Sequence, residues 1–396
     1  MNARERHALI AWSAIAEPAD SVAGAVVDQL GAAEALEWLR KAMVEPERAV
    51  HAIAPELETR YHRLLLNAVE RWGRRWELVD APHERRAMAV AARVVVRTED
   101  GWPSALDDLG QLAPFALYVR GEADLDALWA KSGAVVGSRA ATSYGTYMAA
   151  EIAQTLAGAG GTVVSGGAYG IDIAAHRSAL AMGAPSVAVM AGGIDRLYPT
   201  AHASELTDLT RHGAVVSEVP PGFAPHRSRF LSRNRLIAAA TATVVVEAAA
   251  RSGALSTARH AAELLRPVGA VPGAVTSASS TGCHDLIRDG AAVLLGCAAD
   301  AVELMASTQE WARVASATPA GVAPGQGTLE FAHPNERAVF DAASHRACDI
   351  DTLASRAGLD HQSTRIAAGA LATRGLLGPH QGGWRKTAPT TGKGTK

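Results

Sequence analysis

The hydrophobic pattern divides the chain into stretches of different period. From Ser21 to Met43 apolar residues recur near helical spacing, at Val22, Val26, Leu30, Leu36 and Leu39. With the Ala, Leu, Glu and Arg around them, residues 1–70 read as a small helical bundle, and Pro18 and Pro46 sit near helix edges. From about Phe115 the pattern changes to short β-branched or apolar runs. Strands are predicted at Phe115–Val119, Ala134–Val136, Thr162–Ser165, Ser186–Met190, Ala214–Ser217, Thr243–Val246, Val268–Val271 and Ala292–Leu295. Helical stretches lie between most of them: Gly145–Leu156, Ile171–Met182, Ala201–His212 and Ala254–Leu265. This alternation predicts an α/β fold over 110–306, a doubly wound and mostly parallel sheet that binds ligands beyond the carboxyl ends of its strands.

The flanking regions read differently. Residues 71–109 form a basic connecting segment with Arg71, Arg74, Arg75, Arg85, Arg86, Arg93 and Arg97, and with Trp72 and Trp76 among them. Such a segment suits either a nucleic-acid surface or a solvated helix whose tryptophans dock on a neighbouring domain. Glu70, Glu77, Asp80 and Glu84 dilute the charge and favour the second reading. Residues 307–328 contain TPAGVAPGQG and read as a flexible linker. Helices are then predicted at Glu336–Ser344, Ile350–Ala357 and His361–Arg374, with Asp349 or Asp351 capping the second and Gly375 stopping the third. A hairpin with Gly382–Gly383 at its tip completes a winged helix-turn-helix over 329–387. Its third helix carries only Arg365 and Arg374, so DNA reading and protein contact both remain open. Residues 388–396 read as a disordered tail.

Composition narrows the function. The 396 residues are 48% hydrophobic and 20% charged, which suits a folded chain of two or three domains. The formal net charge of −2 gives no global case for nucleic acid, so any such case rests on a local patch. The three cysteines, Cys283, Cys297 and Cys348, fit neither a zinc site nor a disulfide framework, and a reducing cytoplasm is the expected setting. The apolar run at the N-terminus is too short and broken for a signal peptide, and no membrane span is expected.

Four elements carry candidate chemistry. Gly137, Ser138 and Arg139 follow a predicted strand and lead through Ser143, Tyr144 and Gly145 into a helix. Glycine admits close backbone approach, a helix start offers free N–H groups, and an arginine fork suits phosphate. The alternative is a tight turn with an exposed arginine. The run is not G-x-G-x-x-G, so no nicotinamide or flavin cofactor is expected, nor any metal. The second element is SGGAYGID, where Gly166 and Gly167 precede a helix opened by Gly170. Asp172 in its first turn suits a cap, His176 suits packing, and Arg177 points to an anion. The third is HRSRFLSRNRLIAAA, with Arg227, Arg229, Arg233 and Arg235 around Phe230, and with Asn234 suited to a helix N-cap. Arginines interleaved with an aromatic suit single-stranded nucleic acid. At least one of these arginines should pair with a buried carboxylate such as Glu218 or Glu247. The fourth is VVVEAAARSGALSTA, where Ser252 and Gly253 make a second anion-binding turn and Glu247 suits a structural or ligand-orienting role. Turns on consecutive strand ends share one sheet edge and together could cradle several phosphates.

These runs, in order, resemble the DprA/Smf family: GSRAATSYG, SGGAYGIDIAAH, the YP of DRLYPT, SEVPPG, SRNRLIAAA, VVEAAARSGALSTA, VPG and GCHDLIRDGA. The resemblance spans about 110–300, with a similar lead-in at WPSALDDLGQLAPFALYVRG. It implies an extended Rossmann-like fold that binds and protects single-stranded DNA in natural transformation or recombination. It further implies help in loading RecA recombinase, and a homodimer. The implied DNA pocket holds Gly137, Ser138, Arg139, Gly166, Gly167, Arg177 (often lysine in the family), Phe230, Arg233, Asn234 and Arg235, supported by Asp172, Glu247, Ser252 and Gly253. The chain departs from the family at Leu231 and Ser232, where a proline usually follows the aromatic, and at His284, where asparagine is common. The implied protein is not an enzyme. The alternative is a nucleotide phosphoribohydrolase of the LOG type on a related fold. Those proteins carry PGGxGTxxE, whereas here Glu247 precedes the Ser252–Gly253 turn.

Overall fold

The computed structural model describes residues 2–53, 58–307, 334–344, 347–373, 376–380 and 383–387. The chain divides into two compact units, Met1–Ala317 and Thr318–Lys396.

The first unit opens with α1 (Ala3–Ile15), α2 (Ser21–Leu30), α3 (Ala32–Ala42), α4 (Pro46–Ile53), α5 (Thr59–Gly73) and α6 (His83–Met88). Asp20 starts α2 by accepting hydrogen bonds from the amides of Val22 and Ala23. Its other oxygen accepts from Nε1 of Trp72 at 3.0 Å. Trp72 is buried edge-on to Trp12, with ring centroids 5.2 Å apart. Within the basic segment, Arg71, Arg74 and Arg75 pair with Asp20, Glu70 and Glu17 respectively. Those three charges are therefore matched by carboxylates, as the helix-docking reading requires.

The sheet strands are β1 (Arg93–Val96), β2 (Ala116–Arg120), β3 (Ser132–Val136), β4 (Thr162–Ser165), β5 (Ser186–Met190), β6 (Ala214–Ser217), β7 (Ala242–Val245), β8 (Val268–Ala270) and β9 (Val293–Leu294). Their spatial order is β1-β2-β6-β5-β4-β3-β7-β8-β9. Strand β2 runs antiparallel to both β1 and β6, and every other pairing is parallel. The run from β5 to β9 has the Rossmann order, and β6, β2 and β1 extend it. The doubly wound, extended Rossmann-like expectation is borne out. One strand was missed. β1 lies inside the segment read as a connection, so the sheet begins at Arg93 rather than near 110. Its three valines are too few to show a period between Arg93 and Arg97.

Helices cover both faces: α7 (Leu125–Ala130), α8 (Ser143–Gly158), α9 (Ile171–Ala181), α10 (Ala203–Asp208), α11 (Arg227–Ala238), α12 (Ala254–Glu263), α13 (Thr281–Arg288) and α14 over 299–307. The strand pleat sorts the core by face. In β2, Ala116 and Tyr118 join the N-terminal helices, while Leu117 and Val119 face the opposite layer with Leu236 of α11. The single helix expected over Ala201–His212 is instead α10 between two 3₁₀ turns. Asn234 is not an N-cap, because α11 starts seven residues earlier, at Arg227.

The second unit contains α15 (Pro334–Ala342), α16 (Ile350–Ala357), α17 (His361–Thr373) and an antiparallel pair, β10 (Leu377–His380) with β11 (Gly383–Lys386). A lone bridge joins Cys348 to Trp384. Asp349 caps α16 by accepting from the amide of Thr352 at 2.7 Å. Val339, Leu353, Ala368 and Leu371 form its core. The expected stop at Gly375, the hairpin tip at Gly382, the linker beyond Ser307 and the terminal tail lie outside the described residues.

Candidate nucleic-acid interface

Strand order reverses between β3 and β7, and the segments that follow them leave the sheet side by side. The amide of Ser138 donates to the carbonyl of Glu247 at 2.7 Å, and that of Val246 to Val136 at 3.0 Å. A cleft of about 410 Å³ opens above this point. Its walls come from four places: the Gly137–Ala140 turn, Ala168 and Asp172, one face of α11, and the Ser252–Ala254 turn. A switch-point crevice is where doubly wound sheets hold ligands.

Each wall has a local cause. Behind the first turn, Glu247 is buried and accepts from the Thr142 amide (2.9 Å), the Thr142 hydroxyl (2.6 Å) and Ser279 (3.4 Å). Thr142 in turn caps α8 by accepting from the Gly145 amide at 3.1 Å. Glu247 thus anchors the loop that carries Arg139, and it does not line the cleft. Gly170 has φ +76°, and a side chain there would strike the carbonyl of Ser138. Asp172 does not cap its own helix. It folds back to accept from the amides of Gly166 (3.2 Å) and Ala168 (3.3 Å), which closes the glycine loop. Ser252 accepts from the Ala254 amide at 3.3 Å, and Asn234 donates to the Gly253 carbonyl at 3.3 Å.

The four arginines of the third motif separate: Arg229, Arg233 and Arg235 are buried, whereas Arg227, at the start of α11, is exposed with no carboxylate partner among the described residues. Arg233 is 4% exposed and lies under the cleft, with Nη1 donating to the carbonyls of Gly166 (2.9 Å) and Val189. Its guanidinium occupies the space where a Cβ at Gly166 would sit. Burial pushes Arg233 down to about 10, opposed by Asp172 and assisted by the neighbouring Arg139 charge. Burial also raises the Asp172 carboxyl, against the pull of Arg233 and its two amide donors. Arg139 is exposed, with Cζ 5.2 Å from the centroid of the Phe230 ring. Among the described residues no carboxylate pairs with Arg139.

Four predicted contacts stand outside the main cleft, and one of them, Gly166, lines the adjoining crevice with Arg139 and Ala168. Arg235 is 1% exposed and holds Glu218 through both oxygens, at 2.7 and 2.5 Å. Two residues along a helix are about 200° apart, so Arg235 faces away from Arg233. The expected arginine pairing is therefore met by Arg235 with Glu218. Arg177 lies outside the cleft and donates twice to Glu205, at 3.0 and 2.6 Å. Those hydrogen bonds hold the Glu205 carboxyl below its ordinary range. Gly167 accepts from His202 through its carbonyl and supports the loop without lining the main cleft. Arg229, 6% exposed, binds Glu17 across to the N-terminal helices at 3.0 and 2.8 Å.

His176 is wholly buried. Ser186 donates to the Val163 carbonyl at 3.0 Å, so Nδ1 of His176 carries the hydrogen that Ser186 accepts at 2.8 Å. Nε2 is left a bare acceptor with no partner. Burial pushes the imidazole down to about 3, and Arg233 and His202 add to it. His176 thus packs as a neutral side chain.

Sequence reasoning missed Leu231 and Ile237, which give the cleft an apolar wall on α11. It also gave no role to Tyr169 and no separate role to Tyr198, which flank the adjoining crevice. An aromatic in a glycine loop was the available signal for Tyr169. Among the described residues, no cluster of His, Cys, Asp and Glu could hold a metal ion. No described helix is long and apolar enough to cross a membrane.

Fold and cleft together define a Rossmann-like α/β protein with a glycine-walled, cation-edged crevice at its switch point. The sequence profile of the DNA recombination-mediator protein A family matches residues 93–306. A putative DNA processing protein DprA of Mycobacterium tuberculosis is 39% identical over 95% of this chain and 93% of its own. Protein Smf of Escherichia coli is 44% identical over 45% of this chain and 48% of its own. The X-ray structure of DNA processing protein A from Streptococcus pneumoniae superposes with a TM-score of 0.55 at 30% identity, over 72% of this chain and 97% of that one. The chain belongs to the DprA/Smf family. It is accordingly a DNA-processing protein.

Proposed function

We propose that the switch-point cleft binds single-stranded DNA. The observation that carries this reading is Arg139, exposed over Phe230 at the rim and unpaired while its neighbours Arg177, Arg229 and Arg235 are matched by carboxylates. Glycine turns admit a phosphate backbone, Phe230 offers a π-face to a base, and Arg233 adds positive potential from below. Gly137, Ser138, Arg139, Phe230, Arg233 and Asn234 contact DNA in this reading, with Gly166, Asp172, Glu247, Ser252 and Gly253 shaping the cleft. A duplex keeps its base faces stacked and unavailable, so the single strand is preferred.

The family's description as recombination mediators supports a finer role: protecting the strand and helping to load RecA recombinase onto it, in natural transformation or recombination, as a homodimer. The three free thiols suit the cytoplasm. The second unit serves as a winged-helix module in this reading.

The test is a titration of the full chain with an unstructured oligonucleotide and with its duplex, at several salt concentrations. The single strand binds more tightly, and binding weakens with salt. Arg139→Ala lowers affinity and reduces the log–log salt slope by about 0.7, the value for one lost single-strand phosphate contact. Equal affinity for duplex, or an unchanged slope, refutes the assignment.

A further inference from the structure

Beside the main cleft lies a crevice bordered by Tyr169, Tyr198 and Pro199, and it shares Arg139, Ala168 and Phe230 with the cleft. Its volume of about 20 Å³ holds no base, so any ligand there must lie on top of it. What it offers outward is aromatic surface. Tyr169 and Tyr198 are each 48% exposed. Tyr198 leans on Phe230 with centroids 5.8 Å apart and an interplanar angle of 59°. Tyr169 stands edge-on over buried His202 at 4.6 Å. His202 is itself fixed to the Gly167 carbonyl at 3.1 Å. Each ring is thus backed from beneath while half of it stays open.

Packing does not account for that exposure, and hydrogen bonding does not either. Neither phenol has a hydrogen-bond partner among the described residues. Tyr144, also exposed, is different: its hydroxyl donates to the Pro272 carbonyl at 2.7 Å. Three aromatics on one rim, with Arg139 over Phe230, match the sequence-tolerant stacking platform of single-strand binders.

We propose that Tyr169 and Tyr198 form a second stacking subsite, which takes unpaired bases of the strand as it leaves the cleft past Arg139. This rests on the single-strand reading of the cleft and extends it to the course of the strand. The tyrosines recognise base faces and Arg139 recognises the phosphate between them. The subsite therefore distinguishes base-bearing from abasic DNA and adds nothing to the salt slope.

The experiment titrates the full chain and its variants with fluorescein-labelled oligo(dT) of about 20 nucleotides, long enough to span one site and its surroundings. An abasic oligomer of the same length is titrated in parallel. Tyr169→Ala and Tyr198→Ala each weaken oligo(dT) binding by about 5- to 150-fold, the worth of one stacked base. The corresponding Phe variants restore it. All variants bind the abasic strand as the unaltered protein does, and their salt slopes on oligo(dT) are unchanged. Alanine variants that bind oligo(dT) normally, or that lose abasic and base-bearing strands equally, overturn the subsite while the cleft reading stands. Failure of the unaltered chain to bind oligo(dT) overturns both.

Discussion

Arg235→Ala separates a DNA contact from a structural ion pair in the same short motif. The guanidinium makes four hydrogen bonds: Nη1 and Nη2 to the Glu218 oxygens, Nη1 to the Ser232 carbonyl at 2.8 Å, and Nε to the Leu112 carbonyl at 2.8 Å. The side chains of Arg235 and Glu218 are 2% and 7% exposed. Truncation to alanine leaves a buried carboxylate with no cation. The expected cost is about 3–5 kcal/mol, mostly the penalty of the orphaned charge. Against a typical domain stability of about 5–15 kcal/mol, that is a large loss. Replacing both partners by leucine removes the charge together with its counter-ion and is expected to be within about 1 kcal/mol of neutral, or stabilising. The assay is urea unfolding followed by tryptophan fluorescence, since Trp12, Trp72 and Trp129 are buried in this unit. Single-strand titrations follow below each variant's transition. Arg235→Ala lowers the midpoint, and the folded fraction still binds DNA. The Glu218→Leu/Arg235→Leu pair restores the midpoint and binds normally. A stable double variant that no longer binds would refute the reasoning, because it would make Arg235 a DNA ligand after all.

Two further outcomes follow from the same networks. His176 sits below its unfolded value of 6.5, at about 3, so the unfolded chain takes the proton first and stability falls with acid between those limits, by about 1.4 kcal/mol per pH unit. Asp172 is raised by burial and opposes this in the acid range, so the readout is the difference in urea-midpoint slope between the unaltered chain and His176→Asn; equal slopes defeat the argument. Glu17→Gln loosens the hold on Arg229 and costs about 1–2 kcal/mol, discounted for the partial exposure of Glu17. Burial raises the Glu17 carboxyl, but hydrogen bonds from Arg229 and Arg75 more than offset this. Its contribution is therefore present above the unfolded value of 4.5 and fades as pH falls through the lower folded value, which thermal midpoints across that range report.

The parallel sheet was legible because its strands are buried on both faces and read as unbroken apolar runs between helices. Strand β1 was hidden although its valines are buried on both faces: three apolar residues between Arg93 and Arg97 carry no period of their own. The turns at Gly137, Gly166 and Gly253 were legible because each follows a strand and opens a helix. The direction of a charged side chain was not. Spacing placed Arg233 and Arg235 together, yet the helix turns them to opposite faces. Arg177 pointed toward an anion in the sequence, and the structure supplies Glu205, which lies twenty-eight residues away in sequence and which no local pattern connects to it. Asp172 looked like a cap because it occupies a first turn. Its carboxylate instead closes the loop before its helix, a choice made by Gly166 and Ala168.

How the arginines are distributed explains how a chain of net charge −2 presents a cationic cleft. Carboxylates absorb the arginines that build the frame: Glu17 takes Arg75 and Arg229, Glu218 takes Arg235, and Glu205 takes Arg177. Arg139 remains at the rim with no carboxylate among the described residues, and Arg233 lies beneath it with Asp172 as its acidic neighbour. Asp172 is itself buried, raised and occupied by two amide donors, so it offsets Arg233 without cancelling Arg139. Arg227 and Arg251, also exposed, likewise have no carboxylate partner among the described residues. Beside the apolar wall of Ile237 and Leu231, the Arg139 guanidinium acts over a short range. A broad basic face would hold duplex and single strand alike through their phosphates. Arg139 set among exposed rings favours the strand whose bases are free to stack.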